Sequence, residues 1–193
     1  MTATVEFFFD VGSPTTYLAW TQLRKLAADC GAAIVWRPML LGGVFKATGN
    51  ASPVTVPAKG RWMFQDMARW ARRYDVELAM NPHFPINTLT LMRGAVGLQL
   101  RQPSDFERYV DVVYRAMWES PCNLGDPAVL AQVLQRAGFD AEALLGYDID
   151  FPGEDDGPVK PARIAARIQE IRGQVSRLLA TAPAGERLRA GAL

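Results

Sequence analysis

At 193 residues the chain has the length of one domain, by the usual prior of about 100–200 residues per domain, and its 49% hydrophobic residues suffice for an ordinary core. A formal net charge of +1 argues against nucleic acid or an anionic membrane as the main partner. Two cysteines, Cys30 and Cys122, lie far apart with no CxxC, and so read as reduced thiols rather than a disulfide framework. No apolar run approaches the ~20 residues of a membrane span. No charged-then-apolar leader precedes the first strand, so the expectation is a cytoplasmic protein.

Val5 to Phe9 reads as an apolar and aromatic strand, buried on both faces of a helix-covered sheet. Asp10 closes it, Gly12-Ser13-Pro14 turns the chain, and Tyr17, Leu18, Leu23 and Leu26 follow helical spacing. Gly31 sits where a glycine helix stop belongs. Ala33 to Trp36 reads as a second strand, ended by Arg37-Pro38. Strand, helix, strand predicts a parallel pair with a right-handed crossover.

The next stretch, GGVFKATGNASPVTVPAKG (Gly42 to Gly60), reads as a long loop with at most one short helical turn, and such loops are usually functional or disordered. From Arg61 the spacing of Trp62, Met63, Asp66, Met67 and Trp70 predicts a helix. Its Trp62, Met63, Phe64, Met67, Trp70 stripe reads as mostly core, and Arg61, Arg69, Arg72 and Arg73 as a solvated face. A Pro-rich entry, NPHFPIN, leads to a helix from Thr88 to Leu100. Ser104-Asp-Phe-Glu predicts an N-cap box for a helix running to Trp118, and Asp126-Pro127 caps another through Ala137. The chain is thus read as one structural domain: a βαβ start over 1–40, a loop and all-helical insertion over 41–145, and a divergent segment over 146–193.

Ser13 carries two readings. A serine before proline at a first helical turn is a routine N-cap, accepting a bond from a backbone N–H. The same helix N-terminus, with unpaired N–H groups and the positive dipole end, also suits an anion or thiolate, to which the hydroxyl would donate. Local spacing alone leaves both open.

FFFDVGSPTTYLAW resembles the opening of the 2-hydroxychromene-2-carboxylate isomerases, glutathione-dependent relatives of the DsbA-like group and of kappa-class glutathione transferases. The resemblance continues through Arg37-Pro38, Leu40-Leu41-Gly-Gly-Val-Phe-Lys-Ala-Thr-Gly-Asn50, Val56-Pro57-Ala-Lys-Gly-Arg61, Asp66, Arg69-Trp70-Ala71, Asn81-Pro-His-Phe-Pro-Ile-Asn-Thr-Leu89, and Tyr114, Met117 and Trp118. It covers about Val5 to Leu145 and implies an α/β, thioredoxin-like (DsbA-like) fold. It also implies glutathione as cofactor, a small aromatic substrate, and a homodimer. The implied activity is cis–trans isomerisation of a 2-hydroxychromene-2-carboxylate to a trans-benzylidenepyruvate. Kappa-like transfer and a truncated, non-catalytic protein are the alternatives. Ser13 stands where disulfide oxidoreductases of the group carry the first cysteine of CxxC, so disulfide exchange at that position is excluded.

By the same resemblance Ser13 stabilises the glutathione thiolate and Lys46 approaches the substrate carboxylate, against a reading of Lys46 as a solvated loop residue. Asn50 is either a turn former after Gly49 or a polar contact to substrate. Phe84 is either a wall for an aromatic substrate or a core ring, and Asn87 either lines the cleft or caps the helix at Thr88. His83 is the single histidine, so no multi-histidine metal site exists, and a surface or packing role is expected.

From Gly146 the text changes. Ionisable side chains between Asp140 and Asp156 are acidic, and from Lys160 Arg outnumbers Glu. The family's Val-Pro-Thr strand, with the cis-proline that clamps the glutathione backbone, is not legible, and the C-terminal strands of the fold are read as missing. A linker, an amphipathic helix from Pro161 to Ala180 and a tail are expected instead. Two origins stand: an out-of-frame translation of a GC-rich gene, or a genuine variant whose helix docks on the sheet or a partner.

Overall fold

A computed structural model of the chain describes residues 2–147 and 149. Strand β1 (Thr4–Phe9) leads into helix α1 (Pro14–Asp29) and strand β2 (Ala33–Pro38). The two strands pair in parallel from Thr4 opposite Ala33 to Phe9 opposite Pro38, as the βαβ reading requires. Helix α1 stops at Cys30, and Gly31 takes φ +61°, the left-handed conformation that a glycine permits.

β1 is not buried on both faces. Phe9 is fully buried and Phe7 packs edge-on against Trp36, whereas Phe8 is 45% exposed. Glu6 lies within the run and shares the outward face with Phe8, its carboxylate taking two bonds from Arg37. Alternation along the strand is therefore the period-two pattern of a sheet covered on one face.

The expected long loop is mostly helical. Helix α2 occupies Leu41–Thr48, a short 3₁₀ turn covers Pro53–Thr55, and helix α3 begins at Pro57 and runs to Tyr74. Gly42 and Gly43 weaken helix propensity, but α2 is held at both ends. The Leu41 N–H reaches the Asp10 carboxylate, and Gly49 closes the helix at φ +67°. On α3 the aromatic stripe is largely surface: Met67 and Ala71 are buried, while Trp62 (63% exposed) and Trp70 are not. The four arginines are exposed, as expected.

The helical block continues with α4 (Leu89–Arg101), α5 (Pro103–Trp118), α6 (Pro127–Arg136) and α7 (Ala141–Leu145). The proposed Ser104 box does not form. Pro103 takes the first helical position, so the N-cap of α5 falls two residues earlier, on Gln102, whose N–H still belongs to the end of α4. Asp126 caps α6 as expected, and Asp140 caps the additional short helix α7.

The core forms where α1, α4 and α5 meet the C-terminal end of β1. α5 buries Phe106, Tyr109, Val110, Val113, Tyr114 and Met117 at three- and four-residue spacing. Phe9 inserts between Trp20 and Tyr114, with ring centroids 5.4 and 6.2 Å away. Both cysteines are free. Among the described residues no helix is long and apolar enough to cross a membrane. The expected linker, helix and tail beyond Tyr147, and the question of C-terminal strands, lie outside the described residues except for Ile149.

Candidate active site

The site is built on the three residues after β1. Asp10 is 2% exposed and its carboxylate is fully engaged. Oδ1 accepts the Gly12 N–H at 2.9 Å, while Oδ2 accepts the Leu41 N–H at 2.8 Å and the Thr88 hydroxyl at 3.0 Å. One carboxylate thus joins the turn before α1, the first turn of α2 and the start of α4. Its negative charge also lies at the α2 N-terminus, where the helix dipole favours it. Burial pushes the Asp10 pKa above its ordinary value, and the three donors pull it partly back.

The turn is packed as tightly as it is bonded. A Cβ on Gly12 would meet Thr88 Cγ2 at 2.8 Å, so the close approach of α4 requires glycine there. The Val11 carbonyl accepts the Trp118 indole N–H at 2.9 Å, and the Ser13 N–H closes the turn onto the Asp10 carbonyl at 3.0 Å. Behind it, the Thr16 hydroxyl shares its one proton between the Asp10 and Ser13 carbonyls, both at 2.9 Å, and accepts from Tyr114 at 3.0 Å. Burial pushes the Tyr114 phenol well above its usual range, which keeps it a donor.

Ser13 is buried and is the N-cap of α1. Its Oγ accepts the Thr16 N–H at 3.3 Å and lies 2.8 Å from Thr15 Oγ1. Thr15 in turn lines a recess of about 320 Å³ between α1 and α3, together with Leu18, Trp62, Met63, Met67 and Trp70. Trp62 and Met63 also line a second recess of about 520 Å³, with Pro53, Ala58 and Lys59. Apolar, aromatic-walled space therefore begins one hydroxyl away from Ser13.

The other sequence-derived candidates fall at different distances from this turn. Phe84 packs its ring against Trp118 at 5.7 Å, and so touches the residue that holds Val11. Asn87 is exposed and its Oδ1 accepts the N–H of Leu89, the first residue of α4, at 3.0 Å, while Thr88 is the N-cap and its hydroxyl serves Asp10. Asn50 is exposed and bonds the Ala51 N–H at 2.8 Å, and Gly49, rather than Asn50, takes the left-handed conformation. Lys46 stands in the last turn of α2, exposed and without an ion pair among the described residues. His83 is exposed and its backbone N–H is held by Asn81 Oδ1.

Asp10, Thr15, Thr88 and Trp118 escaped assignment from the sequence. The signal for Asp10 was present, since an acidic residue closes an apolar run just before a glycine turn. Its partners are 31 and 78 residues away and have no local signature.

Comparison with known proteins identifies the fold and the family. A family model described as the DSBA-like thioredoxin domain matches residues 4–174, and so extends past Leu145 into the Arg- and Ala-rich segment. The 2-hydroxychromene-2-carboxylate isomerase of Sphingobium xenophagum is 32% identical over 175 residues, 90% of this chain and 87% of that protein. Glutathione S-transferase kappa 1 of Caenorhabditis elegans is 37% identical over 140 residues, 69% of this chain and 62% of that protein. Among solved structures, a selenomethionine 2-hydroxychromene-2-carboxylate isomerase superposes with a TM-score of 0.64 at 25% identity, covering 92% of this chain and 98% of that one. The chain therefore belongs to the DSBA-like thioredoxin-domain family and, within it, to the 2-hydroxychromene-2-carboxylate isomerases.

Proposed function

We propose that this protein is a glutathione-dependent cis–trans isomerase acting on an aromatic carboxylate of the 2-hydroxychromene-2-carboxylate class, with Ser13 facing the cofactor sulfur. The supporting observation is the donor set at the start of α1. Pro14 has no N–H, and the Thr16 N–H is bonded to Ser13 Oγ. That leaves the Ser13 hydroxyl proton and the Thr15 N–H, at the positive end of a 16-residue helix, for an anion. Those donors fit a thiolate, and no cysteine at this position competes for the role. When bound, glutathione supplies a sulfur nucleophile that adds to and leaves a conjugated carbon, permitting rotation about what had been a double bond.

The chain's own residues do the rest. Ser13 keeps the sulfur ionised by donating to it. Asp10 holds the turn rigid, so the donor geometry costs no reorganisation when charge builds up. Lys46 neutralises the substrate carboxylate, Phe84 walls the ring, and Asn50 and Asn87 contribute polar contacts. Replacing Ser13 by alanine should lower turnover of a chromene carboxylate about a hundredfold while removing only about 1 kcal/mol of helix cap. Unchanged turnover in a folded Ser13→Ala protein would sink the assignment. A second reading, a kappa-like glutathione transferase, is favoured by the 37% identity to the nematode enzyme. Conjugation of a model electrophile with no chromene turnover would select it.

A further inference from the structure

We infer that Thr15 is a positioning residue that orients the Ser13 hydroxyl, so that the Ser13 proton is directed at the anion held on α1. The inference rests on the glutathione reading above and concerns which oxygen of the Ser13–Thr15 pair donates. A serine hydroxyl has one proton and two acceptor positions. One acceptor position takes the Thr16 N–H, and the 2.8 Å approach to Thr15 Oγ1 places a single proton between the two oxygens. If Ser13 donated to Thr15, its proton would be turned away from any ligand. If Thr15 donates, both acceptor positions of Ser13 are filled and its proton has one direction left.

An anion facing Ser13 Oγ selects the second arrangement, because only that one turns the Ser13 proton toward it. The two hydroxyls then form a chain, Thr15 to Ser13 to sulfur, in which each bond polarises the next. Thr15 is free for this task. It is exposed, and Ser13 Oγ is its side chain's only hydrogen-bond partner among the described residues. The Thr16 proton, by contrast, is already shared between two carbonyls, and its oxygen accepts from Tyr114. Sequence numbering alone would not separate the two threonines; the geometry does.

The test is the ionisation of bound glutathione, followed by the ultraviolet absorbance of its thiolate in a pH titration of the full-length protein. Around the turn the titratable groups are Asp10 behind it, Tyr114 through Thr16, Tyr17 one turn on with its partner Glu119, and Asp66 and Tyr74 beside the Thr15 recess. All are retained in the variants. Thr15→Val keeps the shape and β-branching and should raise the apparent pKa of the bound thiol by about half a unit, roughly threefold in thiolate near neutrality. Thr15→Ser restores the hydroxyl and should stay at the parent value. Ser13→Ala should raise it by about one unit or more. Thermal unfolding of Thr15→Val should match the parent. A Thr15→Val protein with an unshifted thiol, alongside a shifted Ser13→Ala, would overturn the role of Thr15 and leave the glutathione reading standing. An equal shift in Thr15→Ser and Thr15→Val would overturn it as well. Failure of the parent to bind glutathione, or a Ser13→Ala protein with no shift, would overturn both.

Discussion

The two ends of β1 differ sharply. From Thr4 to Phe8 the strand is exposed or half-buried, and its outer face carries Glu6 and Phe8. Over the next three residues, Phe9, Asp10 and Val11, exposure falls to 2% or less. Chemistry alone does not separate them, since both ends are aromatic and both contain a carboxylate. Depth is set by what packs on each. Glu6 meets a single surface arginine, whereas Asp10 meets backbone and side-chain donors from three segments. A carboxylate paired at the surface adds little to stability, and one that satisfies buried donors is costly to remove.

That contrast can be broken by mutation. Asp10→Ala strands two backbone N–H groups and the Thr88 hydroxyl, and should lose roughly 3 kcal/mol or more in urea melts. It should also lower glutathione affinity, because the Ser13 turn and α2 lose their common tie. Trp118→Phe strands the buried Val11 carbonyl and should cost about 2 kcal/mol. Equal losses at Glu6→Ala and Asp10→Ala would show that the two ends are not distinct after all.

Asp10 also leaves a mark in acid. Its folded pKa lies above 3.8, so the folded chain binds more proton than the unfolded chain between the two values. The contribution is complete below the unfolded pKa and is lost as pH rises through the folded one. The unfolding free energy of the parent, relative to Asp10→Asn, should therefore fall as pH climbs from about 4 through the raised pKa. A flat difference would place Asp10 at its ordinary pKa. The smallest effect is expected at the exposed end, where Phe8→Thr should change stability by no more than about 0.5 kcal/mol. A loss well above that would mean that this face is covered.

Features written in neighbouring residues were legible in the sequence. Ser13-Pro14, Gly31 and Asp126-Pro127 mark helix ends whose physics is complete within four residues, and the βαβ start followed from them. The fold family was readable from ordered motifs. Features requiring a distant partner were not. α2 escaped because its stabilising tie, Asp10, is 31 residues upstream, and the Gly, Pro, Ser and Thr content argued for a loop. The α3 stripe misled because helical spacing shows which residues share a face, not whether anything covers it. Ser104 failed as a cap because Pro103 preempted the first helical position. In the candidate site, Ser13 was visible as a cap, while the network that holds it depends on Thr88 and Trp118.

The bond from Trp118 to Val11 spans 107 residues and that from Thr88 to Asp10 spans 78. Both are long loops to close, and closure precedes the stabilisation it brings. During synthesis the Ser13 turn leaves the ribosome before α5 and lacks its indole tie until that helix has been made. Assembly of the Ser13 turn thus waits on α5, although its residues precede that helix in the chain. A chain halted before α5 would carry the whole motif FFFDVGSPTTYLAW and none of the helix that fastens it.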